Sequence, residues 1–202
     1  DKFLLQSEFR AVNKNTKHMI DASILSGHES EVNFTKKNSR SHFFSDSTFN
    51  LGLSGFDTSS INLEMQTVSN IDYLKTYKLN SPLIGSETLL SSIFDFSASR
   101  EDLSIRTSVE VYENLSELKS SDRYEFVYPN IDILKTFVTD DSLNGDLSLD
   151  TSAYRKKFNT NVEETVLINN LLFDSNPSIT NKGLKNSYSF LLKNINSNAE
   201  RS

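Results

Sequence analysis

Cysteine and tryptophan are absent from the chain of 202 residues, and histidine, glycine and proline occur only 3, 6 and 3 times. Without cysteine, these residues form no disulfide framework, no thiolate cluster and no cysteine nucleophile. A zinc ribbon, whose metal is held by cysteine thiolates, is excluded for the same reason. We expect no metal and no other cofactor.

Long apolar runs and an excess of positive charge are also missing. The longest purely apolar runs are two or three residues, as at residues 3–5 and 171–173, whereas a transmembrane helix needs about 20. The net charge is -6, which argues against nucleic acid as a partner, because phosphate backbones are bound by clustered Lys and Arg. The chain begins at Asp1 rather than at Met, so we expect an interior fragment.

Alternation of apolar and polar residues is the strongest pattern present. Leu103, Ile105, Val109 and Val111 alternate with polar residues, which is the two-residue period of a strand. The predicted fold is therefore all-β, an antiparallel up-and-down meander of about ten long strands. The predicted strands are residues 3–12, 18–25, 41–53, 60–68, 88–97, 102–112, 130–138, 145–154, 162–172 and 183–194.

Strand length and connection length favour one kind of all-β protein. Strands of soluble domains usually have about five or six residues, whereas a tilted strand needs about nine to eleven to cross a bilayer. Short connections alternate with long ones, predicted at residues 26–40, 70–87 and 113–129, as in outer-membrane barrels. We expect residues 1–202 to be part of one transmembrane β-barrel domain. An antiparallel sandwich has the same alternation and remains an alternative.

Each predicted strand has one apolar and one polar face. In a barrel the apolar face lies against lipid and the polar face lines the lumen. The residues expected to face lipid are Ile61, Leu63, Leu103, Ile105, Val109, Val111, Leu147 and Leu149. The charged residues expected to face the lumen are Glu64, Arg106, Glu110, Asp150 and Lys193.

Residues with catalytic or metal-binding potential are few. His42 with Asp46, or His28 with Glu29 and Glu31, could form a site on a barrel rim, but no serine stands in a nucleophile elbow. Residues 140–151 begin like a calcium-binding loop, yet they end on threonine where a bidentate Glu is needed. A tight turn is predicted there. We expect no catalytic residue, no metal ligand and no enzyme activity.

Three segments, taken in order, resemble the C-terminal barrel of the LPS-assembly outer-membrane protein family, LptD, especially its alphaproteobacterial members. Residues 72–77, Asp-Tyr-Leu-Lys-Thr-Tyr, are similar to the family's Tyr-Leu-Arg-x-Tyr loop, with Lys75 in place of Arg. Residues 128–132, Tyr-Pro-Asn-Ile-Asp, resemble a Leu-Pro-x-x-Asp sequence that opens a later strand. Residues 143–150, Leu-Asn-Gly-Asp-Leu-Ser-Leu-Asp, are similar to Gly-Gly-x-Leu-Ser-Leu-Asp, with Asn144 in place of one glycine.

The resemblance implies a barrel of about 26 strands, which ten strands cannot close. It also implies that an N-terminal periplasmic domain and the terminal gate strands lie outside this sequence. Members of the family receive lipopolysaccharide from periplasmic bridge proteins and deliver it to the outer leaflet, with a plug lipoprotein in the lumen. The expected partners are therefore lipopolysaccharide, outer-membrane lipid, the plug lipoprotein and the bridge proteins. The expected location is the outer membrane of a Gram-negative cell.

Two other functions fit the same pattern of strands. A different outer-membrane channel, of porin type, would share the fold and differ only in the solute that it passes. A secreted β-sandwich that binds a ligand or a partner would share only the strand period. A need for detergent and a mobility shift on unheated gels would distinguish either barrel from the sandwich.

Overall fold

The computed structural model describes residues 3–30, 33–79, 81–118, 122–137 and 144–201, apart from the side chains of residues 26–39. Its elements are β1 (Leu4–Val12), β2 (Thr16–Ser30), β3 (Asn33–Asn50), β4 (Thr58–Val68), α1 (Tyr73–Tyr77), β5 (Leu89–Arg100), β6 (Leu103–Asn114), β7 (Tyr124–Phe137), β8 (Gly145–Lys157), β9 (Val162–Ser175), β10 (Ser178–Ile179), β11 (Lys185–Asn186) and β12 (Ser189–Arg201). The predicted all-β fold is confirmed.

Ten of these strands form one antiparallel sheet in the order β1-β2-β3-β4-β5-β6-β7-β8-β9-β12. Consecutive strands pair with each other throughout, except that β10 and β11 form a separate small hairpin between β9 and β12. The predicted meander of about ten strands is confirmed. The sheet is not closed, because β1 and β12 form its two edges in the described part of the chain.

The hairpin of β2 and β3 is longer than the sequence predicts. A long loop is expected at residues 26–40, but most of these residues belong to the two strands. The ladder runs from Thr16 opposite Phe49 to Leu25 opposite Arg40 and continues toward the tip after a shift in register. The loop prediction is wrong because strands pair through backbone hydrogen bonds. A polar segment can therefore form a strand although its sequence lacks the alternating apolar residues by which strands are predicted.

The start of the seventh strand also differs from the prediction. β7 begins at Tyr124 rather than at residue 130. Its register against β8 jumps between Val127 and Asn130, on either side of Pro129. Proline donates no ladder hydrogen bond and is found at bulges. Pro129 therefore marks a bulge inside the strand and not its beginning.

The last strand is displaced and the connection pattern ends differently. β12 is Ser189–Arg201, whereas the sequence predicts a strand at residues 183–194. The alternation of short and long connections is found from residues 69–88 through 101–102 to 115–123. It is inverted near the end, where residues 158–161 are a short turn and residues 176–188 contain the β10–β11 hairpin. Turn signals alone do not separate these two connections.

Cross-strand register separates the two faces of the sheet. Residues directly opposite each other share a face; Ile105 is opposite Ala98 and Ile133, and Arg106 is opposite Ser97 and Asp132. Followed from strand to strand, these pairs place on one side, here called the apolar face, residues that include Phe9, Ile20, Phe43, Ile61, Leu63, Phe94, Leu103, Ile105, Val109, Val111, Ile133, Leu147, Leu149 and Leu171. The opposite side is called the polar face.

A segment between β4 and β5 folds over the polar face. This segment, residues 69–79 and 81–88, is called the strap and contains α1. Gln66 Nε2 donates to the carbonyl of Leu83 at 2.9 Å, which holds the strap against β4. Its side chains complete a buried core with the strands: Phe44, Tyr73, Leu74, Leu90 and Leu115. No helix in the described residues has the length and apolar character needed to cross a membrane.

Candidate functional site

The five charged residues predicted to face a lumen share the polar face of the sheet. They lie on four strands, with Glu64 on β4, Arg106 and Glu110 on β6, Asp150 on β8 and Lys193 on β12. Glu64 and Glu110 are both opposite Ile93, and Glu110 accepts hydrogen bonds from Ser108 Oγ at 2.6 Å and Tyr112 Oη at 2.7 Å. The five form a band across the sheet. That the band borders a lumen stays a prediction.

The remaining members of this band have polar neighbours of their own. Arg106 Nε donates to Asp95 Oδ2 at 2.6 Å. Asn170 is opposite both Asp150 and Lys193, and its Nδ2 donates to Asp150 Oδ2 at 3.3 Å. These separate pairs do not converge on one point. They are therefore typical of a hydrated polar surface rather than of a binding site.

Convergence occurs elsewhere on the polar face, beneath the strap. On β2, Asp21 and Ser23 point to the same side because they are two residues apart. The β2–β3 register places Ser23 opposite His42 and Asp21 opposite Phe44. The strap adds Tyr73 from the first position of α1. Asp21, Ser23, His42 and Tyr73 are called the His42 cluster.

Hydrogen bonds run through this cluster from the strap to the sheet. Ser23 Oγ lies 2.5 Å from Tyr73 Oη and 2.6 Å from His42 Nδ1. On the other side of the ring, Asp21 Oδ1 lies 3.3 Å from Nε2, in a direction that does not make a hydrogen bond. Gln6 Nε2 reaches both oxygens of Asp21, at 3.2 and 3.1 Å.

Burial changes the acid–base behaviour of the cluster. Asp21 and Tyr73 are 0% exposed and His42 is 3% exposed. Burial lowers the pKa of His42 below its ordinary value of 6.5, because desolvation opposes the imidazolium more than the Asp21 carboxylate favours it. Burial likewise raises the pKa of Tyr73, and the hydrogen bond to Ser23 only partly offsets this. The histidine is therefore neutral at pH 7.

A serine, a histidine and an aspartate in contact invite comparison with a hydrolytic triad. In a triad, the serine and the acid bond to different ring nitrogens, and the serine hydroxyl faces the substrate. Here the Ser23 hydroxyl is held between His42 and Tyr73, and Ser23 is 6% exposed. While α1 covers the cluster, this hydroxyl meets no substrate. What the geometry offers is a buried hydrogen-bond chain that depends on the protonation of one imidazole.

A groove opens beside the cluster, between the strap and strands β3 to β5. Its volume is about 390 Å³, and its lining includes Asp46, Glu64 and Gln66 from the sheet and Leu83 from the strap. Asp46 is directly opposite Glu64, and Glu64 Oε1 accepts a hydrogen bond from Ser91 Oγ at 2.7 Å. The groove therefore carries two neighbouring carboxylates.

The sequence pattern pairs the wrong residues here. It suggests His42 with Asp46, whereas the acid that contacts the ring is Asp21. The second candidate set lies outside the described part of the chain, which includes neither Glu31 nor the side chains of His28 and Glu29. The first four residues of the calcium-like segment, 140–143, are also outside the described residues.

Gly145, at the sixth position of that segment, has a clear structural role. A Cβ atom there would lie 2.4 Å from the Asp174 carbonyl oxygen and 2.8 Å from Ser175 Cα, so only glycine fits this close approach of β8 to β9. Asn144, which precedes it, has a positive φ of 42°, a conformation that asparagine tolerates better than most residues. The Asn-Gly pair thus serves chain geometry.

Comparison with known proteins gives no family assignment for this chain. No known family model matches it, and no curated protein is significantly similar to it in sequence.

Proposed function

We propose that this chain is a wall segment of a large outer-membrane β-barrel that delivers lipopolysaccharide to the outer leaflet. The observation that supports a barrel is a single ten-stranded meander in which β4 to β8 place most of their apolar residues on one face. A bilayer requires every backbone polar group to be paired, and an antiparallel ladder meets that requirement except at its edges. Further strands, pairing with β1 and β12, would complete the barrel.

The exposure of apolar side chains supports lipid contact. On the apolar face, Val109 is 44% exposed, Phe94 42% and Met65 41%. Soluble proteins rarely leave a contiguous apolar surface of this extent in water. In the described residues the only other sheet is the two-stranded β10–β11 hairpin, which is too small to cover it. This weighs against the alternative of a secreted sandwich.

The polar face suits a water-filled lumen. Arg106 is paired with Asp95, and the band from Glu64 to Lys193 keeps its charges on the side away from the apolar residues. A wide lumen keeps such groups hydrated at little cost. The same face would meet a plug lipoprotein, and the strap would occupy part of the lumen near one rim.

The cargo is assigned by the resemblance of three segments. The Tyr-Leu-Lys-Thr-Tyr segment forms α1, and the Tyr-Pro-Asn-Ile-Asp segment contains the bulge of β7. Asn144 and Gly145 form the entry to β8. All three resemble the LPS-assembly family, whose members hand lipopolysaccharide from periplasmic bridge proteins to the outer leaflet. We assign no catalytic residue and no cofactor to this segment.

The decisive experiment is depletion of the full-length protein in its host. Newly made lipopolysaccharide should accumulate inside the cell and fail to reach the surface, as measured by pulse labelling and surface digestion. The matched control is uptake of a small solute, which should continue. If lipopolysaccharide reaches the surface at the normal rate while uptake of a solute fails, a channel of porin type becomes the correct function.

A further inference from the structure

We propose that Tyr73 and His42 form a pH-sensitive latch that holds the strap on the polar face at neutral pH and releases it in mild acid. The proposal goes beyond lipopolysaccharide delivery and does not depend on the cargo. It rests on three features of the His42 cluster: the order of its hydrogen bonds, its burial, and its position at the end of the ladder.

The direction of the hydrogen bonds makes the latch sensitive to one proton. When Nδ1 of neutral His42 accepts from Ser23, the serine oxygen is free to accept from Tyr73, so the chain runs from the phenol to the imidazole. If Nδ1 carries a proton, it donates to Ser23 Oγ, and the serine then either donates to Tyr73 or accepts from it as well. In both arrangements one of the two hydroxyl hydrogens is left without an acceptor in the cluster. Ser23 Oγ is the one hydrogen-bond partner of Tyr73 Oη among the described residues.

The burial of the cluster makes this reversal costly. A buried hydroxyl that loses its acceptor keeps the full desolvation penalty without the hydrogen bond that offset it. The imidazolium would gain only a poorly aligned Asp21 at 3.3 Å. When the strap lifts, both the ring and the phenol can reach water. Protonation therefore favours the lifted state.

Few charged groups face His42 from the neighbouring elements. Asp21 is the one carboxylate among the described groups around the ring, and Gln6 already binds both its oxygens. Arg40 is turned to the strap, 6.0 Å from the ring of Tyr77. Register and contacts place around His42 the residues Asp21 and Ser23 on β2, Tyr73 on α1, Gln6 on β1, Gln66 and Val68 on β4, and Arg40 and Phe44 on β3 itself. Glu8 of β1, opposite Asp21, binds Arg10.

The His42 cluster lies at one end of the β3–β4 ladder, as expected for a latch at the rim of a barrel. His42 is opposite Val68, which is the last pair of the β3–β4 ladder. The long apolar series of β6, from Leu103 to Val111, corresponds to positions nearer the other end of that ladder. Lifting the strap would open the groove of about 390 Å³ that contains Asp46 and Glu64.

The sign of the pH effect follows from proton linkage. The pKa of His42 is lowered when the strap is docked, so the lifted state binds more protons below about pH 6.5. Docking is therefore fully stable above that pH and weakens as the pH falls through it. For one histidine, the docked-to-lifted ratio should fall by at most about tenfold between about pH 7.5 and about pH 5.5.

Hydrogen–deuterium exchange of the full-length protein in lipid vesicles tests the latch. The reporters are the amides of Thr76 and Lys78, which bond to the carbonyls of Asp72 at 2.9 Å and Leu74 at 3.0 Å. After correction for intrinsic exchange, their protection should fall several-fold, and at most about tenfold, from about pH 7.5 to about pH 5.5. His42→Gln should remove this pH dependence. Tyr73→Phe should lower protection at both pH values.

His18→Gln is the matched control. His18 lies on the apolar face of the same hairpin, where its Nδ1 is 3.1 Å from Ser47 Oγ, and its loss should leave the pH dependence unchanged. Equal pH dependence in the wild type and His42→Gln would overturn the latch. So would protection that rises in acid, because it would mean that the Asp21–imidazolium pair holds the strap down.

Discussion

The two ends of the sheet differ sharply in how far their side chains are buried from solvent. Near β2 and β3, the strap makes Asp21, Phe44 and Tyr73 fully inaccessible to solvent. At the other end, every residue of β12 is exposed, including Leu191 at 58% and Phe190 at 60%. Both ends are built of the same antiparallel ladder. The difference teaches that the largest fully buried side chains of this sheet lie mainly where the strap folds over it.

Hydrogen bonds and apolar burial, which both stabilise the sheet, are distributed differently along it. The ladder supplies hydrogen bonds along its whole length, whereas apolar burial within the described residues is concentrated under the strap. At the far end, β9 and β12 carry apolar residues on both faces, as at Leu171 and Leu172 of β9. Residues of this kind are typical of strands covered on both sides. Lipid against the apolar face would cover about half of the apolar residues of β9 and β12.

The largest expected effect breaks the ladder itself. Deleting residues 60–97 removes β4, the strap and β5, and leaves β3 and β6 without their partners. We expect no folded protein, because unpaired strand edges are not tolerated in lipid. The measurement is mobility on unheated gels after membrane extraction. As a control, replacing only residues 71–84 with a short Gly-Ser turn should preserve the shifted band of the folded protein. If this variant also lost the shifted band, the strap would be needed for the sheet to form.

The next effect tests the buried end of the comparison. Phe44→Ala should lower the free energy of unfolding by about 3–5 kcal/mol, because it leaves a cavity in the core beneath the strap. Leu191→Ala, at the exposed end of the same face, should cost less than about 1 kcal/mol. Urea unfolding in vesicles measures both. Equal costs would show that β12 is covered as fully as β3.

A somewhat smaller effect tests the apolar face. Ile105→Arg should cost about 2–4 kcal/mol if that face contacts the middle of a bilayer. The control is Ser104→Arg, one residue away on the polar face, where the cost should be near zero. Ser108 is a poorer control than its sequence suggests, since it is 2% exposed and bonds to Glu110. Equal tolerance at positions 104 and 105 would favour a sheet in water.

The smallest effect concerns the turn between β5 and β6. Hydrogen bonds from Lys135 and Arg100 lower the pKa of Asp102 below its ordinary value of 3.8. A lowered carboxyl pKa adds stability above that value, and the addition is lost as the pH falls through the lowered pKa. Asp102→Asn should therefore destabilise slightly at pH 7 and not in strong acid.

Urea unfolding at both pH values would measure the difference at Asp102. Glu101→Gln, in the same exposed turn, is the matched control and should change neither value. A large effect of Asp102→Asn would be unexpected for an ion pair in water, because solvent and salt screen such pairs.

The sequence predicted much of the sheet and little of the His42 cluster. Alternation is local, so the sequence pattern alone places Leu103 and Ile105 on one face and Arg106 on the other. The contact between Asp21 and His42 depends on the register of β2 and β3, which depends in turn on where their hairpin turns. Because residues 26–40 have the pattern of a loop, the sequence leaves that register undefined.

What the sequence alone determined is the strand character and the two-faced pattern of this chain, because the two-residue period acts within each strand. Tertiary structure decided the rest. It paired Ser23 with His42, placed the bulge at Pro129 inside β7, and laid Tyr73 over the polar face. Each of these joins residues far apart along the chain, and their contact is fixed by ladder register and packing rather than by the identity of their neighbours in sequence.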